Sequence, residues 1–196
     1  MRKMGMYMGL FVLLVIVVSS FHLTLGVDAP GTGHQLLRIS QLDPRQYRST
    51  AEYTTWAYST CSTAAMTEVM NYYGWHMRLT DVLAVESRIG AITPELGLVE
   101  DVGIARTVAH FGLHTTWGYQ FSLDQVIGMA NQGTPVIVGF PPERYPGGHL
   151  LVVTGGNTTR VLVADSSIWN VRSFTRSRFL HLWAGFAAVI TPRNGG

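Results

Sequence analysis

With 196 residues, 47% of them hydrophobic and 11% aromatic, the chain can fold one domain around a real core and is too rich in core-forming residues to be disordered. Its 14 basic and 12 acidic side chains give a formal charge of +2, too balanced for a protein that grips nucleic acid through a basic face. A single cysteine, Cys61, excludes an internal disulfide framework and any multi-cysteine zinc or iron–sulfur site, and leaves either a small buried apolar residue or a thiol used for chemistry.

Arg2 and Lys3 precede an apolar run from Met4 to Val18 that shows no polar face, and the continuation to Gly26 is still fairly apolar. A basic end ahead of such a run is the pattern of a segment that enters a bilayer with its charges left behind. Residues 1–27 are therefore expected to be a signal peptide or an N-terminal membrane anchor. The remainder is expected to be extracytoplasmic, either secreted or tethered, with membrane contact only through this segment. Without Arg2 and Lys3 the chain carries 12 basic against 12 acidic side chains, so the positive excess belongs to the tail. Lys3 is also the only lysine, which excludes Schiff-base, P-loop and Ser–Lys chemistry from the rest.

Residues 28–50 mix Pro30, Gly31, Gly33 and Pro44 with few apolar side chains and read as a linker or an arm laid over a domain spanning residues 51–192. Ala65, Met66, Val69, Met70 and Tyr73 recur at helical spacing from Thr60 to a terminator at Gly74. Thr80 to Gly90 predicts a second helix with Thr80 as its N-cap, and Val99 to His110 a third that stops at Gly112. Leu113–Tyr119 predicts a short strand, and Ser122 caps a helix running to Asn131. The period then changes: 135–140, 149–154 and 160–164 are β-branched runs bounded by glycine, proline or asparagine, and 183–190 is a last strand. Helices first and a mostly antiparallel sheet second make an α+β architecture.

Three positions carry chemistry as a set, although none is diagnostic alone. Cys61 sits where a loop enters the first helix, and the partial positive charge and unpaired N–H groups of a helix N-terminus favour a thiolate and accept a developing oxyanion. His149 opens a strand directly after Gly147 and Gly148, which let a substrate backbone approach the ring. Asp165 closes the next strand after the turn at residues 155–157, so an antiparallel pairing brings it near His149 at one sheet end, where it would orient the imidazole. Other groups have blander readings. His110 and His114 have metal-like spacing, but Gly112 breaks the helix that would align them, so no metal is expected. No glycine-rich phosphate loop is present, and no cofactor is expected either. Glu68 is expected to be a buried partner for an arginine such as Arg106. The aromatic side chains of Trp56, Tyr58, Tyr145 and Trp169 are candidates for a cleft wall.

The cysteine at a helix entry with Ala65-Met66 and Asn71-Tyr72-Tyr73-Gly74 after it, then Gly148-His149 with Val152-Val153, then Val161, Val163 and Asp165, resembles the papain-like cysteine peptidases of the bacteriocin-processing, double-glycine-leader group known as family 39. The resemblance covers roughly residues 52–192. It implies a papain-like fold with N-terminal helices packed on a C-terminal sheet, and Cys61 as nucleophile, His149 as general base and acid, and Asp165 as the orienting acid. The partner implied is a peptide or protein substrate. Tyr58, Gly147 and Gly148 are then expected along the substrate cleft.

Two positions depart from the family pattern. The family usually carries a glutamine six residues before the cysteine, whose amide completes the oxyanion hole; here Thr55 stands there, within Tyr53-Thr54-Thr55-Trp56. The Thr55 hydroxyl or the Trp56 indole N–H is expected to take that role beside the Cys61 backbone N–H. Ser62 follows the cysteine where glycine is common. Losing one oxyanion donor costs about 10²–10³ in rate. The expected function is accordingly an exported cysteine peptidase. The alternatives are a weakly active or inactive peptide-binding module, and a thioester-forming acyltransferase or amidase.

Overall fold

Residues 36–193 are described in a computed structural model of the protein; the expected export segment and residues 28–35 of the arm lie outside the described residues. In this range the chain forms α1 (Thr50–Trp56), α2 (Cys61–Tyr72), α3 (Leu79–Arg88), β1 (Ile92–Thr93), β2 (Gly97–Leu98), α4 (Val102–Ala109), β3 (Leu113–Gly118), α5 (Leu123–Asn131), β4 (Val136–Phe140), β5 (His149–Gly156), β6 (Arg160–Ala164), β7 (Ser173–Thr175), α6 (Arg176–Leu182) and β8 (Ala187–Pro192).

Six strands pair antiparallel in the order β3-β8-β4-β5-β6-β7, so the runs that alternate least in sequence, β4 and β5, are central. Alternation along β4 shows why its apolar run is unbroken. Val136, Val138 and Phe140 pack on one face with α5 and α6, while Ile137 packs on the other with α2, α3 and α4. A strand covered on both faces has no solvent side to advertise with polar residues. The helical stripe predicted for α2 is the one that docks. Ala65, Met66, Val69 and Met70 are at most 1% exposed and meet Val152, Ala164 and Ile190 of the sheet. Burying Met66, Val69 or Met70 contributes about 1.5–3 kcal/mol each before entropy is counted, and Ala65 less.

Several element ends differ from expectation for local reasons. Thr80 does not cap α3; its hydroxyl donates to the Glu52 carboxylate at 2.7 Å, and the Asp81 carboxylate accepts the Arg78 N–H instead. The helix α4 begins at Val102 rather than Val99 because residues 97–98 are held in the β1–β2 hairpin. The polar stretch after Asp165 contains β7 and α6, whose only buried helical residues are Phe179 and Leu182. Such a narrow apolar stripe leaves little periodic signal.

The arm is part of the packed body from Leu36 onward. Ile39 and Tyr47 are buried with Ala57, Ala64, Leu79, Leu83 and Ile92 in a third apolar cluster. Its backbone is tied to the far end of the chain, with Gln41 N–H donating to the Ser166 carbonyl at 3.0 Å. The folded unit therefore begins earlier than residue 51.

Candidate active site

The loop after α1 delivers Cys61 to the first position of α2, and the hydroxyl of the preceding Thr60 does not cap that helix because it is paired with the Tyr47 hydroxyl at 2.8 Å. No side chain thus takes the N–H groups that a helix start leaves unpaired. From the other half of the chain, β5 brings His149 after Gly147 and Gly148, which adopt φ +81° and +69°. These left-handed values suit glycine and turn the chain sharply into the strand.

The sheet register accounts for the third residue. Ala164 of β6 pairs with Val152 of β5, so continuing the ladder by one step sets Asp165 opposite Leu151, with His149 two residues further along the same face. His149 Nε2 lies 2.8 Å from Asp165 Oδ1, and both side chains are buried. The carboxylate is fully occupied. Oδ1 also accepts the Ser167 N–H at 2.9 Å, and Oδ2 accepts the Ser167 hydroxyl at 2.9 Å and the Val171 N–H at 3.0 Å. Burial alone would raise this carboxyl, but the bonds from His149, Ser167 and Val171 outweigh it and hold it well below the usual carboxylate range. For His149, burial alone would favour the neutral ring. Hydrogen bonding to Asp165 and to Cys61 outweighs that and lifts the imidazole to about 9. With Nε2 committed to Asp165, the nitrogen left for Cys61 is Nδ1. Tyr145 stacks on the ring, centroids 5.6 Å apart, and covers it from one side.

Cys61 and His149 open onto one cleft of about 680 Å³. Its walls include Tyr58, Gly147 and Gly148, all three expected there, together with Leu96, Tyr119 and Phe186. The β1–β2 turn approaches so closely that a Cβ on Gly97 would stand 3.1 Å from the Ser59 carbonyl oxygen. Three carboxylates, Glu95, Asp101 and Glu143, line the cleft, and no arginine does.

The expected alternative oxyanion donors do not reach this cleft. The Thr55 hydroxyl donates to the Ala51 carbonyl at 2.9 Å on an exposed face of α1, and Trp56 packs against the third apolar cluster. An amide is present from another source. Gln41, 6% exposed, lines the cleft beside Cys61, with Nε2 donating to the Ala57 carbonyl at 2.9 Å and Oε1 accepting the Ser166 hydroxyl at 2.9 Å. An amide nitrogen carries two protons, so one remains for a group in the cleft. Spacing alone could not single out Gln41, because Gln35, Gln41 and Gln46 all precede Cys61 and none of them stands six residues before it.

Two further placements differ from expectation. Glu68 is buried, but its neighbours come from the arm. Oε1 accepts the Ile39 N–H at 2.7 Å, and the Arg38 guanidinium lies near, whereas Arg106 donates to the Ile89 carbonyl elsewhere. Burial pushes the Glu68 carboxyl up to about 8. Arg38 itself donates from Nε to the Asp165 carbonyl and from Nη2 to the Ser167 carbonyl at 2.7 Å, clamping the loop that carries the acid. Trp169 is 75% exposed and lies outside the cleft walls. Among the described residues no group of three or more metal-ligating side chains is gathered.

The model of the Peptidase_C39 like family matches residues 38–190. The chain belongs to that family. The match starts within the arm, where Arg38 and Gln41 meet the site. Among solved structures, the peptidase domain of Streptococcus ComA, a bi-functional ABC transporter involved in a quorum sensing pathway, is similar with a TM-score of 0.62 at 18% identity, covering 81% of this chain and all of that one. A C39-like peptidase from Bacillus anthracis gives 0.57 at 11% identity over 83% of this chain and 97% of that one. A double glycine motif protease from an AMS/PCAT transporter, solved in complex with the leader peptide, gives 0.54 at 14% identity, covering 82% and 94%. No curated protein matches in sequence. The fold of this Peptidase_C39 like protein is therefore that of the papain-like C39 peptidase domains, α+β with helices packed on an antiparallel sheet.

Proposed function

We propose that the protein is an exported cysteine peptidase that cuts peptide bonds with Cys61, His149 and Asp165. The observation that carries this reading is the two-sided engagement of one imidazole. Asp165 holds Nε2, and Cys61 lines the same cleft as the ring, near enough to raise the imidazole's hold on its proton. In the proposed cycle, the Cys61 thiol proton already rests on His149 Nδ1, whose ring is raised to about 9, and Sγ of the resulting thiolate bonds the scissile carbonyl carbon. The oxyanion is held by the Cys61 N–H and the free amide proton of Gln41. His149 then passes its proton to the leaving amine, the C–N bond breaks, and a thioester remains. Water, deprotonated by His149, attacks the thioester and releases the acid with the thiol restored.

Asp165, held in the ionised form, stabilises the imidazolium formed in each half of the cycle and fixes its tautomer. The rival reading is a peptide-binding module without turnover, motivated by the missing glutamine, and the Gln41 amide in the cleft wall favours the peptidase over it. Export is inferred from the sequence of residues 1–27. The protease solved with its leader peptide makes a peptide the natural substrate class here, and a cleft bearing Glu95, Asp101 and Glu143 favours neutral or basic over acidic sequences.

The test is incubation of residues 28–196 with a defined library of unmodified peptides, with products read by mass spectrometry. Free carboxyl termini that vanish in Cys61→Ala support hydrolysis. Products appearing only with an added amine would mean acyl transfer, and none under either condition would end the enzyme reading.

A further inference from the structure

Glu86 is a fully buried carboxyl group that the reaction above does not use. It belongs to α3, the helix packed beside α2, and its two oxygens reach the first turn of α2. Oε1 accepts the Ser62 hydroxyl at 2.8 Å and Oε2 the Thr63 hydroxyl at 2.5 Å. Both partners are themselves fully buried, and they are the two residues that follow Cys61.

A carboxylate near a helix start ordinarily accepts backbone N–H groups of the first turn. Here the bonds run to side-chain hydroxyls, and α2 has no side-chain cap. The turn is held in place while no side chain caps its N–H groups, and of its residues Cys61 lines the cleft. Two bonds to adjacent residues also fix the rotation of that turn about the helix axis, which a single bond would not do. Rotation of the turn is what aims the Cys61 Sγ and N–H into the cleft.

We infer that Glu86 is a positioning residue that sets the aim of Cys61 by gripping Ser62 and Thr63. The inference rests on the reading of Cys61 as nucleophile, but it concerns geometry and not turnover. Burial raises this carboxyl to about 7 against the pull of the two hydroxyls, so near neutral pH the grip is shared between a carboxylate that accepts from both and an acid that donates to one of them.

The test compares Cys61 alkylation by iodoacetamide, as a second-order rate constant across pH, in four proteins. These are the wild type, Glu86→Gln, Glu86→Leu, and a triple variant with Glu86→Leu, Ser62→Ala and Thr63→Val. Urea midpoints are recorded alongside. Glu86→Gln, whose amide can still bond both hydroxyls, is expected to stay within about threefold of wild type, whereas Glu86→Leu falls about tenfold or more, since misplacement of a reacting group by an ångström costs up to about 10²-fold. The triple variant leaves no hydroxyl orphaned and is expected to regain the urea midpoint without regaining the rate. If Glu86→Leu does not fold, the triple variant carries the comparison. A triple variant alkylated at the wild-type rate would overturn positioning and leave the peptidase reading standing. Conversely, wild-type alkylation that needs His149 and Glu86 but is accompanied by no peptide cleavage would end the peptidase reading and uphold positioning.

Discussion

Gln41 and Cys61 are separated by 20 residues in sequence yet line one cleft, because the arm carrying Gln41 is bonded both to the loop before Cys61, through the Ala57 carbonyl, and to the loop after Asp165, through Ser166. One side chain thus bridges the loop before Cys61 and the loop after Asp165. The arm is therefore part of the cleft wall and not a spacer outside it.

Removing the Gln41 amide should therefore cost turnover more than binding. Gln41→Ala is expected to lower kcat by about 10²–10³ with KM changed little, as for loss of one oxyanion donor. Thr55→Ala is expected to leave kcat/KM within about twofold, because the stabilisation at stake belongs to a residue outside the cleft. Steady-state kinetics on a cleaved peptide checks both, and a kcat loss in Thr55→Ala with none in Gln41→Ala would reverse the assignment.

Stability should fall as pH rises from mildly acidic to basic. Burial raises Glu68 from 4.5 to about 8 and Glu86 from 4.5 to about 7, and bonding to Asp165 and Cys61 overcomes burial to raise His149 from 6.5 to about 9. Over these intervals the folded protein holds protons that the unfolded chain has released, so ionisation favours unfolding. The His149 contribution is complete below 6.5 and gone above about 9, and those of the two glutamic acids are lost above 4.5. Asp165 acts in the opposite sense, its contribution present above 3.8 and lost in stronger acid. The urea midpoint is expected to be highest at about pH 5 and to decline toward about pH 9, with Glu68→Gln flattening the decline. A midpoint that rises over that range would contradict these protonation states.

Charge in the cleft should be legible in substrate choice. Peptides with an acidic residue beside the scissile bond are expected to show a higher KM than neutral or basic ones, and the penalty should shrink with salt. Asp101 is partly engaged by the Tyr119 hydroxyl, so Glu95→Gln and Glu143→Gln are the variants to compare. Unchanged discrimination in both would place specificity in shape alone.

The face opposite α2 should matter for stability and not for chemistry. Phe179 of α6 is fully buried against Phe140, Phe174 and Trp183, and Phe179→Ala is expected to destabilise by about 3–5 kcal/mol. Denaturant unfolding measures the loss, and the per-molecule activity of the folded fraction should stay near wild type.

Much of the fold was legible because it is built on strong local periodicity. The α2 stripe, the Ser122 cap with its reciprocal Gln125 bonds, and the runs that became β4, β5 and β6 all carry their own signal. The His149–Asp165 pairing could be anticipated because a short turn between adjacent strands fixes register. What could not be read depends on long-range docking. Gln41 reaches the cleft through contacts with residues 57 and 166, and Arg38 finds Asp165 across 127 positions. Buried Glu68 gave a sign that it needed a partner but not which one, since the partner lies on an irregular arm without periodicity. Likewise, Glu86 resembles any surface glutamate until α3 is laid against the start of α2.

Activation of Cys61 by His149 is read most directly from the rate of Cys61 alkylation by iodoacetamide at about pH 6 in wild type and in His149→Ala. Fast, single-site labelling of Cys61 is expected in the wild type, with a loss of at least about 10²-fold in His149→Ala and Asp165→Asn between the two. Labelling that is slow in the wild type and unchanged in His149→Ala would contradict that activation.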